Sequence, residues 1–91
     1  MDIYKELFSV IMDRKANPTE GSYTNYLLEA GTEKIAKKVG EEAVETAIAA
    51  AKGDKNDVVG EIADLQYHLL VLMAHMGITL EDLEKELRGR R

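Results

Sequence analysis

The run LLVLMAHM at residues 69–76 constrains this chain more than any other feature. Wound as a helix it is apolar nearly all the way round, and such a helix has to be covered on several sides. The chain has 91 residues, and a domain of that order buries only about 60% of the surface that its unfolded chain exposes. Little material is left to surround the segment. The expectation is a small helical bundle completed by homodimerisation, with residues 69–76 contributing to the core between subunits.

The rest of the pattern agrees with an all-α fold of four to five helices in a single domain over residues 1–91. No segment alternates apolar and polar residues for long, and the only proline is Pro18, so strands are not required. A first helix capped by Asp2 places Ile3, Leu7, Val10 and Ile11 on one face and stops before NPTEGS. Ser22 can cap a short helix carrying Tyr23, Tyr26 and Leu27, which Gly31 ends and Thr32 follows as a new cap. A third helix over residues 33–52 gathers Ile35, Ala36, Val39, Ala43, Ala47 and Ala50 on one side, where small side chains admit a close neighbour. Asp54 or Asn56 starts a fourth helix that runs to Met76. Thr79 and Asp82 form a capping box for the last, with Ile78 placed to staple onto Leu83.

With no cysteine, disulfides and thiolate metal sites are ruled out, so any metal is held by oxygen or imidazole. The start, MDIYKELF, carries an early acid and no long apolar run, which predicts neither a signal peptide nor a membrane span. A soluble cytoplasmic protein is expected. A formal net charge of −5, from 17 acidic and 12 basic residues, opposes broad nucleic-acid binding by phosphate neutralisation. RGRR at the carboxyl end reads as a solvated tail.

Two acidic clusters remain. Glu41, Glu42 and Glu45 stand at spacings of three and four on the third helix, where like charges repel. Salt bridges to Lys34, Lys37 and Lys38 one turn back could relieve them, and a wet charged face is the ordinary meaning of such a pattern. Glu61 and Asp64 are harder to dismiss, because with His68 and His75 they form a stripe on the otherwise apolar fourth helix. Buried acids are rare unless paired or bound to metal. Magnesium favours carboxylate and water oxygens and is often shared with a substrate's phosphates. The two histidines read as hydrogen-bonded structure, since a seven-residue spacing suits no single-metal pincer.

EEAVE followed by EIAD, together with DRK, GSYTNYLLEAG, KIAKKVGEEAVETAIAA and ADLQYHLLVLMAHMGITLEDL, closely resembles the phosphoribosyl-ATP pyrophosphohydrolase family of histidine biosynthesis. That family lies within the MazG-type all-α nucleotide pyrophosphohydrolases. The resemblance spans essentially the whole chain. It implies magnesium-dependent hydrolysis of 1-(5-phosphoribosyl)-ATP to 1-(5-phosphoribosyl)-AMP and pyrophosphate by a dimeric helical bundle. On that footing Glu41, Glu42, Glu45, Glu61 and Asp64 are the metal ligands, with Glu42 or Glu45 the base that takes the proton of the attacking water. Arg14, Lys34, Lys37 and Lys38 are candidate phosphate contacts, and Ser22, Tyr23 and Thr24 candidate substrate contacts, although Ser22 serves equally well as a helix cap.

Two other readings compete. A housekeeping pyrophosphatase for nucleoside triphosphates would carry the same acidic motif. A non-catalytic helical dimerisation module would carry the same charges merely solvated.

Overall fold

A computed structural model describes residues 2–91 and contains five helices among them. These are α1 (Ile3–Ala16), α2 (Tyr23–Ala30), α3 (Thr32–Lys52), α4 (Lys55–Met76) and α5 (Leu80–Arg90). The all-α bundle expected from the periodicity is what forms.

Local chemistry sets most of the boundaries. The Asp2 carboxylate accepts from the backbone N–H groups of Tyr4 and Lys5, and Ser22 Oγ accepts from Asn25 N. Thr79 and Asp82 complete both halves of their capping box, at 3.1 and 2.9 Å. Gly53 and Gly77 take left-handed conformations, with φ of 80° and 73°, which L side chains adopt at a cost. Thr32 is a correction: Gly31 occupies the cap position of α3, no side chain caps that end, and Thr32 lies inside the helix. Its hydroxyl is used elsewhere, 3.0 Å from His75 Nε2.

The most extensive contact in the chain is between α3 and α4. Only Gly53 and Asp54 join them, so they pack antiparallel; Thr32 meets His75, and Glu45 meets Glu61. The rotation of α3 departs from the expected one. Ile35, Glu42 and Ala49 are its buried residues, while Ala36, Ala43, Ala47 and Ala50 are exposed. Alanines bury little area each, so the fully buried Ile35 governs which arc turns inward.

The core gathers Ile11, Leu27, Ile35, Leu70, Val71, Met73 and Ala74, with Leu7, Phe8, Leu28, Tyr67, Leu72, Ile78 and Leu80 packed against it. Within residues 69–76, Leu70, Val71, Met73 and Ala74 are covered by α1, α2 and α3 of the same chain without need of a second copy, while Met76 stays 57% exposed. Further open apolar surface lies elsewhere: Val44 is 59% exposed, Ile48 52%, Val59 59% and Ile62 42%. On α1, Leu7 and Ile11 turn inward as expected, but Ile3 and Val10 remain exposed. Ile78 packs on the core, and Leu83, its expected staple partner, stays exposed.

Asn25 locks α2 to the loop before it. Its amide donates to the Arg14 carbonyl at 2.7 Å and its Oδ1 accepts from Thr19 N at 2.8 Å. This residue is buried, and nothing in the hydrophobic pattern marks it. Lys15 adds a second tie by donating to the Ala74 carbonyl at 2.8 Å, where α4 ends and the helix dipole favours a cation.

Truncating the fully buried Leu27 to alanine should lower the unfolding free energy by about 3 kcal/mol, by loss of transfer energy and opening of a cavity. Urea denaturation of the two proteins measures it. A loss below about 1 kcal/mol would mean that α2 is not part of this core.

Candidate functional site

The middle of the α3–α4 pair carries the acidic group. Glu42 and Glu45 are one turn apart on α3, and Glu61 comes from the facing stretch of α4. Each offers a carboxylate oxygen, and the three oxygens lie within 4.8 Å of one another. Glu42 is only 7% exposed. Oε2 of Glu42 and Oε2 of Glu61 are buried with no hydrogen-bond partner.

An acid in that position is costly as an anion. Burial pushes the Glu42 carboxyl above its ordinary value, and the charges of Glu45 and then Asp64 push it further. Glu61 rises for the same reasons, burial first and the charge of Glu45 next. Lys38 gives partial relief, with Nζ 3.8 Å from Glu42 Oε1 and 3.9 Å from Glu41 Oε2. One ammonium shared at that range leaves three clustered carboxylates undercompensated. The fit to a hard cation is good: all donors are oxygens, they come from two helices, and two of those oxygens are otherwise unused.

The five expected metal ligands are thus not equivalent. Glu42, Glu45 and Glu61 form the group. Asp64 lies close enough for its charge to raise both Glu42 and Glu61, but it stands outside the three-residue group and is exposed. Glu41 is also outside it and faces Lys38.

The expected substrate contacts divide in the same way. Ser22 is occupied as the cap of α2. Tyr23 Oη pairs with His68 Nε2 at 2.9 Å, and Thr24 Oγ1 with Tyr67 Oη. Tyr23 stacks with Tyr26 and Tyr67 at centroid distances of 6.1 and 6.2 Å. Lys34 lies over the Tyr26 ring, its Nζ 5.9 Å from the centroid, a cation–π distance. Lys38 reaches the acidic group, whereas Lys37 lines an open surface with Gly40, Glu41, Val44 and Glu45. Arg14 pairs with its neighbour Asp13 at 3.4 Å. Both histidines are hydrogen-bonded, as read from the sequence: His68 to Asp64 O and Tyr23, His75 to Thr32.

The raised carboxyls give the metal-free protein a defined pH response. The folded state binds protons more tightly than the unfolded chain at Glu42 and Glu61, so stability falls as pH rises through their folded values. Acidification from neutral pH toward the ordinary carboxyl range should therefore raise the melting temperature. Glu42→Gln should flatten that slope. Stability that drops over this range in the native protein and is unchanged by Glu42→Gln would contradict the unpaired cluster.

A family model described as phosphoribosyl-ATP pyrophosphohydrolase matches residues 4–91. Among similar proteins, the phosphoribosyl-ATP pyrophosphatase of Clostridium acetobutylicum is 55% identical over 89 residues, covering 98% of this chain and 81% of the relative. That of Clostridium novyi is 50% identical over 91 residues, covering all of this chain and 83% of the relative. The histidine biosynthesis bifunctional protein HisIE of Thermoanaerobacter pseudethanolicus is 58% identical over 84 residues, which are 92% of this chain but 39% of that longer protein. Matched by the family model almost from end to end and by relatives at half identity or better, this chain belongs to the phosphoribosyl-ATP pyrophosphohydrolase family.

Proposed function

We propose that the protein hydrolyses the α–β phosphoanhydride of 1-(5-phosphoribosyl)-ATP, releasing 1-(5-phosphoribosyl)-AMP and pyrophosphate in the second step of histidine biosynthesis. The observation that carries this is the converging group of Glu42, Glu45 and Glu61, with two unpartnered buried oxygens, in a chain of this family. The relatives named as pyrophosphatases and as a histidine-biosynthesis protein support the substrate.

Glu42, Glu45 and Glu61 would hold magnesium, with Asp64 beside them. The ion, when bound, supplies positive charge that stabilises the leaving pyrophosphate. The chain's own contribution is positioning and proton transfer. Water attacks the α-phosphorus, the bond from that phosphorus to the bridging oxygen breaks, and a carboxylate takes the water's proton. Glu42 suits this role better than Glu45, because burial has already raised its affinity for a proton. Lys38, 3.8 Å from Glu42, is placed to meet phosphate oxygens at the rim.

A homodimer acting in the cytoplasm completes the reading. The chain exposes 6432 Å², about 1,100 Å² more than the roughly 5,300 Å² expected of a compact monomer of its mass. Its radius of gyration is 14.1 Å, against about 12 Å for a compact chain of this length. The excess is of the size that one partner buries in an ordinary interface, about 800 Å². Val44, Ile48, Val59 and Ile62 supply the apolar side chains for it.

Pyrophosphate release should be much faster from phosphoribosyl-ATP than from ATP, dCTP or dUTP. Glu45→Gln, Glu61→Gln and Asp64→Asn should each lower turnover roughly a hundredfold or more while keeping the helical content. Faster release from dCTP or dUTP would favour a housekeeping pyrophosphatase instead. For the assembly, Val44→Asp combined with Val59→Asp should give a folded monomer by light scattering. A dimer that survives both charges would place the interface elsewhere.

A further inference from the structure

The Tyr23 hydroxyl is tied back into α4 through a two-step hydrogen-bond chain whose direction is fixed. His68 is buried, and its Nδ1 lies 2.7 Å from the backbone carbonyl oxygen of Asp64, one turn earlier on α4. A carbonyl can only accept, so Nδ1 carries a hydrogen and donates it. In the neutral ring Nε2 is then the acceptor. Its partner at 2.9 Å is Tyr23 Oη, which must donate. Edge-on packing of the imidazole against Tyr23 and Tyr67, at centroid distances of 5.8 and 5.2 Å, holds the ring in this plane.

The consequence lies on the outer side of Tyr23. With its one proton committed to His68, the hydroxyl presents only lone pairs to anything that approaches. Burial raises the phenol above its ordinary value, so it keeps that proton at neutral pH. The chain from Tyr23 through His68 ends on Asp64, one turn after Glu61 on α4, which places the hydroxyl beside the acidic group. Phosphate oxygens at neutral pH are acceptors and gain nothing from such a hydroxyl. A ribose hydroxyl or a purine amino group is a donor and does.

We infer that His68 is a positioning residue which, anchored on the Asp64 carbonyl, fixes Tyr23 as an outward-facing acceptor for a hydroxyl or amino donor of the nucleotide, not for its phosphates. This rests on the hydrolysis reading above and assigns a specificity role to the same site. The Asp64 backbone thereby links the second acidic motif to the substrate-recognition edge of α2.

The test combines kinetics with a spectroscopic reading of the ring. Tyr23 is 46% exposed, so Tyr23→Phe keeps the fold. It should raise KM for phosphoribosyl-ATP about tenfold, the order of one lost hydrogen bond, with kcat reduced less than about threefold. His68→Asn, too short to reach Tyr23, should do the same, and the double variant should be no worse than either single one. His68→Gln, whose amide can accept from Tyr23, should recover part of the loss. Nitrogen-15 spectra of the neutral ring should show hydrogen on Nδ1 and none on Nε2. A protonated Nε2, an unchanged KM in Tyr23→Phe, or fully additive losses would overturn the inference. Absence of turnover by the native protein would overturn the hydrolysis reading instead, and the tautomer would still decide the direction of the hydrogen bonds.

Discussion

Mutual repulsion among Glu42, Glu45 and Glu61 is the interaction around which this molecule is arranged. Three carboxylates within 4.8 Å do not assemble by attraction. They are held by the rest of the α3–α4 pair. At one end the helices are closed covalently across Gly53 and Asp54; at the other Ile35, Val71 and Ala74 bury apolar surface and Thr32 meets His75. The packing energy gained at that far end offsets the electrostatic cost in the middle, which is how a binding site can be preorganised before its ligand arrives.

The remaining helices follow from this division of labour. α1 and α2 wrap the carboxyl-terminal half of α4, so the core is concentrated there and the acidic stretch stays accessible. Asn25 and Lys15 tie those two helices to the loop and to the end of α4 with directional bonds. The same concentration leaves the amino-terminal part of α4 and the outer side of α3 uncovered, with Val44, Ile48, Val59 and Ile62 exposed. The packed core, the acidic group and the exposed apolar face therefore occupy three different parts of the structure.

Helix positions were legible in the sequence because capping residues and glycines act locally. Asp2, Ser22, Asp54 and Thr79 each cap as their chemistry dictates. Helix rotation was not legible where alanines dominate, since a stripe of small residues carries little burial energy to orient it. That is why Ala43 and Ala47 lie outside while Glu42 turns in. The apolar run at 69–76 was correctly read as needing cover, but its cover comes from the same chain, because tertiary packing of distant segments leaves no mark in a local pattern. At the site, the acidic motif picked out five carboxylates without ranking them, and three of these, Glu42, Glu45 and Glu61, converge in the fold. The separation of Glu41 from Glu42 needed the direction of each side chain, and so did the link from His68 to Tyr23.

The central claim is that Glu42, Glu45 and Glu61 form one cation site in which Glu42 and Glu61 hold protons above their ordinary values. Calorimetric titration of magnesium into the protein at pH values stepped upward from the ordinary carboxyl range, repeated in buffers of different ionisation enthalpy, measures binding and proton release together. The account predicts a single saturable site in the native protein, net release of protons to the buffer as the ion displaces them, and loss of that site in Glu45→Gln. Binding with no proton release, or equal binding by Glu45→Gln, would contradict it.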